Sequence, residues 1–205
     1  MRPGENTRDE ILDAAAELIT EQGFGATSTR QIADAVGVRQ NVLYHHFTSK
    51  DEILGTLLEA LVRPSLVAAH TLSQATMTDD PDIAARLYAL TRFDADLLAT
   101  WRWNLGVLFA LPESRSPAYR PMLLARQELR EHYIRFTAAL TDLTGAPQIN
   151  DYVFRLTESV STMRADGDID PDTPRRLASA ALQLAGWAVP DNTEISRRAD
   201  ALLTE

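Results

Sequence analysis

The chain of 205 residues contains no cysteine, which excludes disulfide scaffolds, thiolate zinc sites, iron–sulfur clusters and cysteine nucleophiles. Long apolar runs are missing too. Its longer charge-free stretches, Ser65–Thr78 and Leu177–Pro190, fall short of the ~20 residues a helical span needs and carry polar side chains. The start, Met1-Arg2-Pro3-Gly4-Glu5-Asn6, lacks the apolar h-region of a signal peptide, so a cytoplasmic location with no membrane partner is expected. Positive charge is outnumbered: 20 Lys and Arg, of which Lys50 is the single lysine, stand against 29 Asp and Glu, for a formal net charge of −9. Taken alone, that charge speaks against binding a polyanion. What the chain does have is a 45% hydrophobic content with 24% charged residues, enough for a real core.

No segment alternates with period two between hairpin signals, and there are no internal repeats. Apolar residues instead recur at three and four, as in Ile11, Ala15, Leu18 and Ile19, so the fold class expected is all-α. Thr7-Arg8-Asp9-Glu10, Ser28-Thr29-Arg30-Gln31 and Ser49-Lys50-Asp51-Glu52 each fit a capping box, in which a hydroxyl and a Glu or Gln satisfy orphan N–H groups reciprocally. The spacing predicts helices near 8–22, 29–36, 39–46 and 50–70. After the polar stretch Thr76–Pro81, helices follow near 82–99, 101–110, 118–143, 150–165 and 173–188, with a short one near 193–203. A Pro-containing loop, Leu111–Pro117, separates two of them. Residues 1–50, the head, hold the first three of these helices, and residues 51–205, the body, hold the rest.

Within the head, helix 29–36, a tight turn at Gly37 and helix 39–46 make a candidate helix-turn-helix, whose short turn favours a glycine tolerant of positive φ. Ile32, Ala33 and Val36 with Val38, Val42 and Leu43 supply the inner face. The outer face of the second helix carries Arg39, Gln40, Asn41, Tyr44 and His45. Arg forks onto guanine, and Gln and Asn pair bidentately with adenine. Thr29, Tyr44, His46 and Lys50, with the neighbouring helix N-termini, are the phosphate-type donors around that face.

This head resembles the TetR-type transcriptional regulators. The resemblance rests on Ile11-Leu12-Asp13-Ala14-Ala15, Gly23-Phe24, Thr27-Ser28-Thr29-Arg30-Gln31-Ile32-Ala33, Ala35-Val36-Gly37-Val38 and Leu43-Tyr44-His45-His46-Phe47-Thr48-Ser49-Lys50. It implies a three-helix DNA-binding head on an all-α ligand-binding and dimerisation body. Carried over by position, Tyr44 and Lys50 become backbone-phosphate contacts, Gln40, Asn41 and His45 base-facing residues, and Arg30 a residue at the groove edge. Arg39 departs from the family's frequent Ser or Thr cap, leaving it to reach DNA instead.

Other chemistry is not written here. Gly23-Phe24-Gly25 follows no strand and so is no dinucleotide turn. His45 and His46 diverge by about 100° on a helix and make a poor metal pair. Glu128 and His132 stand at i, i+4 without the repeated carboxylate–histidine units a di-iron bundle needs, and a surface pair is expected. No G-x-S-x-G, H-E-x-x-H or P-loop occurs. Neither a catalytic residue, a cofactor nor a metal is expected.

Aromatics concentrate between residues 88 and 136. The resemblance places an effector pocket there, with Trp101, Phe109, Met122 and Tyr133 as wall candidates and Asn104, Arg126 and His132 as orienting groups. For each, an ordinary core role is the alternative. Val153, Leu156, Val160 and Met163, then Ala178, Ala181, Leu182 and Ala185, form stripes expected at a homodimer interface; closing the monomer's own core is their alternative. The expectation is a repressor that binds a palindromic or pseudo-palindromic double-stranded operator as a homodimer, released by an unknown small-molecule effector. The competing class is an all-α small-molecule-binding protein or enzyme with a vestigial head. Residues 1–50 carry five basic and seven acidic groups, so most of the acidity belongs to the body. Within the head, acid groups lie mainly on the first helix.

Overall fold

The structure is a computed structural model that describes residues 3–74, 80–110, 117–149, 151–188 and 192–203. The expected polar stretch at 76–79 and most of the loop 111–117 lie outside the described residues. Among those described, the chain is all-α, without a strand. The helices are α1 (Pro3–Gln22), α2 (Thr29–Val36), α3 (Gln40–His46), α4 (Lys50–Gln74), α5 (Asp80–Thr100), α6 (Arg120–Thr144), α7 (Tyr152–Glu158), α8 (Val160–Asp166), α9 (Thr173–Leu184) and α10 (Thr193–Leu202). Two 3₁₀ turns, Leu105–Ala110 and Pro117–Tyr119, precede α6.

Local signals place the boundaries of α2. Ser28 caps α2 through a full capping box: its hydroxyl accepts from the Gln31 N–H, and the Gln31 side chain accepts from the Ser28 N–H at 2.8 Å. Gly37 then ends α2 in the left-handed region at φ 74°. The other two expected boxes are corrected. Thr7 lies inside α1, which begins at Pro3, so it caps nothing. At α4 the Glu52 N–H donates to Ser49 Oγ, but the Glu52 carboxylate turns to the Thr48 N–H and hydroxyl at 2.6 and 2.7 Å, one residue earlier than the box expects. Three further differences are physical. Helix α4 continues through Pro64 to Gln74, beyond the expected stop. The segment expected as a helix at 101–110 is a 3₁₀ turn over Leu105–Ala110. The helix expected at 150–165 is interrupted at Ser159, whose hydroxyl donates to the Leu156 carbonyl at 2.6 Å.

The chain divides into two compact units. The first holds residues 1–60 and 102–123. Ile11, Ala15 and Ile19 of α1, Ile32 and Ala33 of α2, Leu43 and Phe47 around α3, and Ile53 and Leu54 of α4 form its core, each at most 2% exposed. Burying such side chains stabilises the unit by roughly 1.5–3 kcal/mol for each large one. Residues after 101 join this unit through polar contacts. Arg102 and the Trp103 indole both donate to Asp13, and the Tyr119 hydroxyl donates to Asp51 at 2.6 Å while its ring meets Gly55.

The second unit holds residues 61–101 and 124–205. Helix α5 is its central element, packed by α7, α8, α9 and α10, and every residue from Ala84 to Thr91 is buried. Arg86 is among them. Its charge is met by Asp82, one turn back at 3.1 Å, and by the Leu72 carbonyl. The small-residue stripe of α9 is spent inside this unit. Just past it, Gly186 (φ +82°) stands where a Cβ would come within 2.6 Å of Thr144 and Ala146. By length and composition α4 also suits a bilayer, but half of its most apolar stretch is already buried.

Candidate functional site

The exposed face of α3 is built by burying its opposite side. Leu43 is fully buried and Val42 half-buried, which turns Gln40, Asn41, Tyr44 and His45 outward. Arg39 stands at the N-cap without a side-chain capping bond, as its departure from a hydroxyl residue implies. Its guanidinium is exposed. The Gln40 amide donates to Thr29 Oγ1 at 3.0 Å, and Thr29 Oγ1 stands 3.2 Å from the Tyr44 hydroxyl. This bridge couples α3 to the start of α2 and pre-sets Gln40, at the cost of one amide hydrogen. Arg30 is exposed and pairs loosely with Asp34 at 3.8 Å, a contact worth little in water. His46 is half-buried. The structure therefore gathers the base-facing and phosphate residues read from sequence on one unit, along α2, α3 and the start of α4.

Lys50 occupies a position that spacing alone does not reveal. Its ammonium donates to the carbonyls of Phe24 and Thr27, both at 2.6 Å, and lies 4.1 Å from the Phe24 ring centroid. Two of its three donors thus pin the α1–α2 connection onto α4.

The aromatic stretch is distributed over separate environments. In the first unit, Met122 is buried and, with Tyr119, Gly55, Thr56 and Glu59, lines a hollow of about 210 Å³. Asn104 and Phe109 are half-buried in the same unit. In the second unit, Trp101 is half-buried. Arg126 makes a two-pronged pair with Glu158 at 2.7 Å and lies over the Phe154 ring. Tyr133 packs on the same ring, so Arg126 and Tyr133 do converge, but on Phe154 rather than on open space. A second cleft, of about 300 Å³, is lined by Arg92, Phe93, Asp96, Pro171, Pro174, Arg175 and Leu203.

The Tyr133 hydroxyl leads to a site that sequence reading missed. It donates to Asp94 at 2.9 Å, and Ser65 donates to the other Asp94 oxygen at 2.7 Å. Asp94 is buried, and desolvation raises its pKa to about 6 against the two hydrogen bonds. The signal was present: Asp94 sits four residues from both Leu90 and Leu98, on the core stripe of α5. Glu128 pairs with His70 of α4 at 2.9 Å, correcting the expected surface pair with His132. His132 is buried and contacts Ser73 at 2.9 Å, and burial lowers its pKa.

Of the eight residues read as an association stripe, Val153, Val160, Ala178, Ala181, Leu182 and Ala185 are fully buried by their own chain. Leu156 and Met163 are half-buried. The same helices expose Tyr152 and Leu184, at 62% and 45%.

Comparison with known proteins gives consistent results. Residues 11–57 match the family model described as bacterial regulatory proteins, tetR family. Over 99% of this chain and 97% of the other, the structure resembles that of Mycobacterium smegmatis AmtR, at 43% identity and a TM-score of 0.90. A segment of 76 residues is 46% identical to the HTH-type transcriptional repressor KstR2 of Rhodococcus jostii, spanning 34% of this chain and 37% of that protein. Another, of 78 residues, is 36% identical to the HTH-type transcriptional activator FasR of Mycolicibacterium smegmatis, spanning 38% of this chain and 35% of that protein. These two curated relatives are thus matched over little more than a third of their length.

Proposed function

The chain belongs to the tetR family of bacterial regulatory proteins, and from that premise we propose that it is a dimeric repressor released from its operator by a small molecule. The observation that carries this reading is the outward face of α3, with Gln40, Asn41, Tyr44 and His45 exposed beside Arg39. Gln40, Asn41 and His45, with Arg39 and Arg30, read base edges. Thr29, Tyr44, His46 and the remaining donor of Lys50 hold phosphates. Phosphate contacts position the helix and base contacts specify the sequence.

Two copies meet through the outward faces of α7 to α9, where Tyr152, Leu156, Met163 and Leu184 are at least partly exposed. An isologous pair places two heads on half-sites about one helical turn apart. The effector acts from the hollow of about 210 Å³ beside Gly55 and Met122. Tyr119 lines that hollow and is bonded to Asp51, next to Lys50. A ligand displacing Tyr119 would loosen the first turn of α4, which holds the α1–α2 connection. Release requires that the ligand prefer the non-binding state, and a hollow of this size takes a compact metabolite.

The test is a gel shift with the DNA flanking the protein's own gene, with and without small-molecule extracts, beside sedimentation of the free protein. A specific shift by a dimer, reversed by an extract fraction, is expected. A monomer with no preference for that DNA would reject the proposal.

A further inference from the structure

We propose that His70, Glu128 and His132 form a binding site for a borderline divalent transition-metal ion such as Zn²⁺, joining α4 to α6 within the second unit. Glu128 and His132 are one helical turn apart on the same face of α6. His70 approaches that face from α4. Its Nε2 is 2.9 Å from a Glu128 oxygen, and its ring lies 4.8 Å from that of His132, nearly perpendicular to it. One donor atom from each of the three residues falls within 4.8 Å of the others.

The hydrogen bonds behind His132 select the form of imidazole that a metal needs. Ser73 Oγ donates its single proton to the Ala69 carbonyl at 2.8 Å. With that proton so placed, the oxygen is left to accept from His132, whose Nδ1 stands 2.9 Å away. In that arrangement Nδ1 carries the hydrogen and Nε2 keeps the lone pair. A ligand histidine held by such a partner is fixed in tautomer and ring orientation. His132 is 3% exposed, so this ligand is already in place.

Bonds of about 2.0–2.1 Å in a tetrahedral site put neighbouring ligand atoms roughly 3.3 Å apart. The His70–Glu128 pair, at 2.9 Å, is already tighter than this, while the three donor atoms together spread within 4.8 Å, so the ligands must rearrange around the ion. His70 and Glu128, each about half exposed at the side chain, have the freedom to do so while His132 stays fixed. Two imidazoles and one carboxylate favour Zn²⁺, Ni²⁺, Co²⁺ or Cu²⁺ over Mg²⁺ and Ca²⁺, which prefer all-oxygen shells. Three protein ligands leave the fourth position to water. A bound ion would staple α4 to α6 and stabilise the folded chain by mass action.

The composition makes the test clean, because the chain has four histidines and no cysteine. The untagged full-length protein, stripped with chelator, is titrated with ZnCl₂ against a chromophoric zinc indicator, and its melting temperature is followed with and without the ion. One ion per chain, with a raised melting temperature, is expected. His70→Ala and Glu128→Gln change exposed side chains and should each weaken binding about 100-fold with circular dichroism unchanged. Ser73→Ala removes the hydroxyl that bridges His132 to the Ala69 carbonyl and should weaken binding about 10- to 100-fold. The proposal is overturned if His70→Ala binds like the parent, if binding disappears with His45→Ala or His46→Ala instead, if Mg²⁺ competes at equal concentration, or if no ion binds.

Discussion

Asp94 gives the sharpest stability prediction, because its environment opposes the charge it carries at neutral pH. It lies buried on α5 between Ser65 of α4 and Tyr133 of α6. Desolvation raises its pKa from 3.8 to about 6, although both hydroxyls donate to it; Glu158 of α7 adds to the rise, and that carboxylate is itself held by Arg126. A folded-state pKa above the unfolded value means that the folded chain binds the proton more tightly. The stability gained from protonation is complete below the unfolded pKa near 3.8 and is lost as pH rises through about 6. A shift of about two units corresponds to ~3 kcal/mol.

Asp94→Asn keeps the shape, accepts from Ser65 and stays neutral. It should therefore raise stability by about 2–3 kcal/mol at pH 8 and by little at pH 4, losing some of the full value where the Tyr133 hydrogen bond is rearranged. Urea unfolding of parent and variant at both pH values measures the difference. Equal destabilisation of the variant at pH 4 and pH 8 would refute the reasoning, because it would mean that Asp94 is needed as an acceptor and not opposed as a charge.

Other consequences follow from single contacts. Lys50→Met removes two charge-assisted hydrogen bonds from a half-buried site and should cost about 2 kcal/mol of head stability; hydrogen exchange of α1 and α2 without DNA measures it, and unaltered protection would leave Lys50 as a surface charge only. Ser28→Ala dissolves the capping box of α2 and should cost about 1 kcal/mol in chemical denaturation; no change would mean that the cap is idle. Gly186→Ala combines a positive φ with a Cβ clash against Thr144 and Ala146 and should cost about 2 kcal/mol or more; a neutral result would mean that this junction yields easily.

The head was legible because its determinants are local. The Ser28 box and the Gly37 stop lie within a few residues of what they control, and they placed α2 at 29–36. The exposed side of α3 follows from helical periodicity around Leu43. Determinants closed by distant residues were not legible. The third partner of the Glu128–His132 cluster is His70, on another helix and far earlier in the chain. Lys50 looked free for phosphate because its acceptors are backbone carbonyls, which have no sequence signature. Stripes on α7 to α9 are ambiguous by nature, since a side chain that packs on α5 and one that packs on a second copy obey the same periodicity. Acidity misled only in total. The groups that oppose DNA are screened beyond about 8 Å at physiological salt, and a modest salt slope is the consequence for an acidic chain.

The central claim is that α3 reads sequence. The most direct measurement is fluorescence anisotropy of the parent and Gln40→Ala on DNA flanking the protein's own gene and on random DNA, at one fixed salt concentration. The account predicts that the parent prefers the flanking site by about a thousand-fold or more. Gln40→Ala should lose about 1–3 kcal/mol on that site and little on random DNA. Equal losses on both, or no preference in the parent, would contradict it.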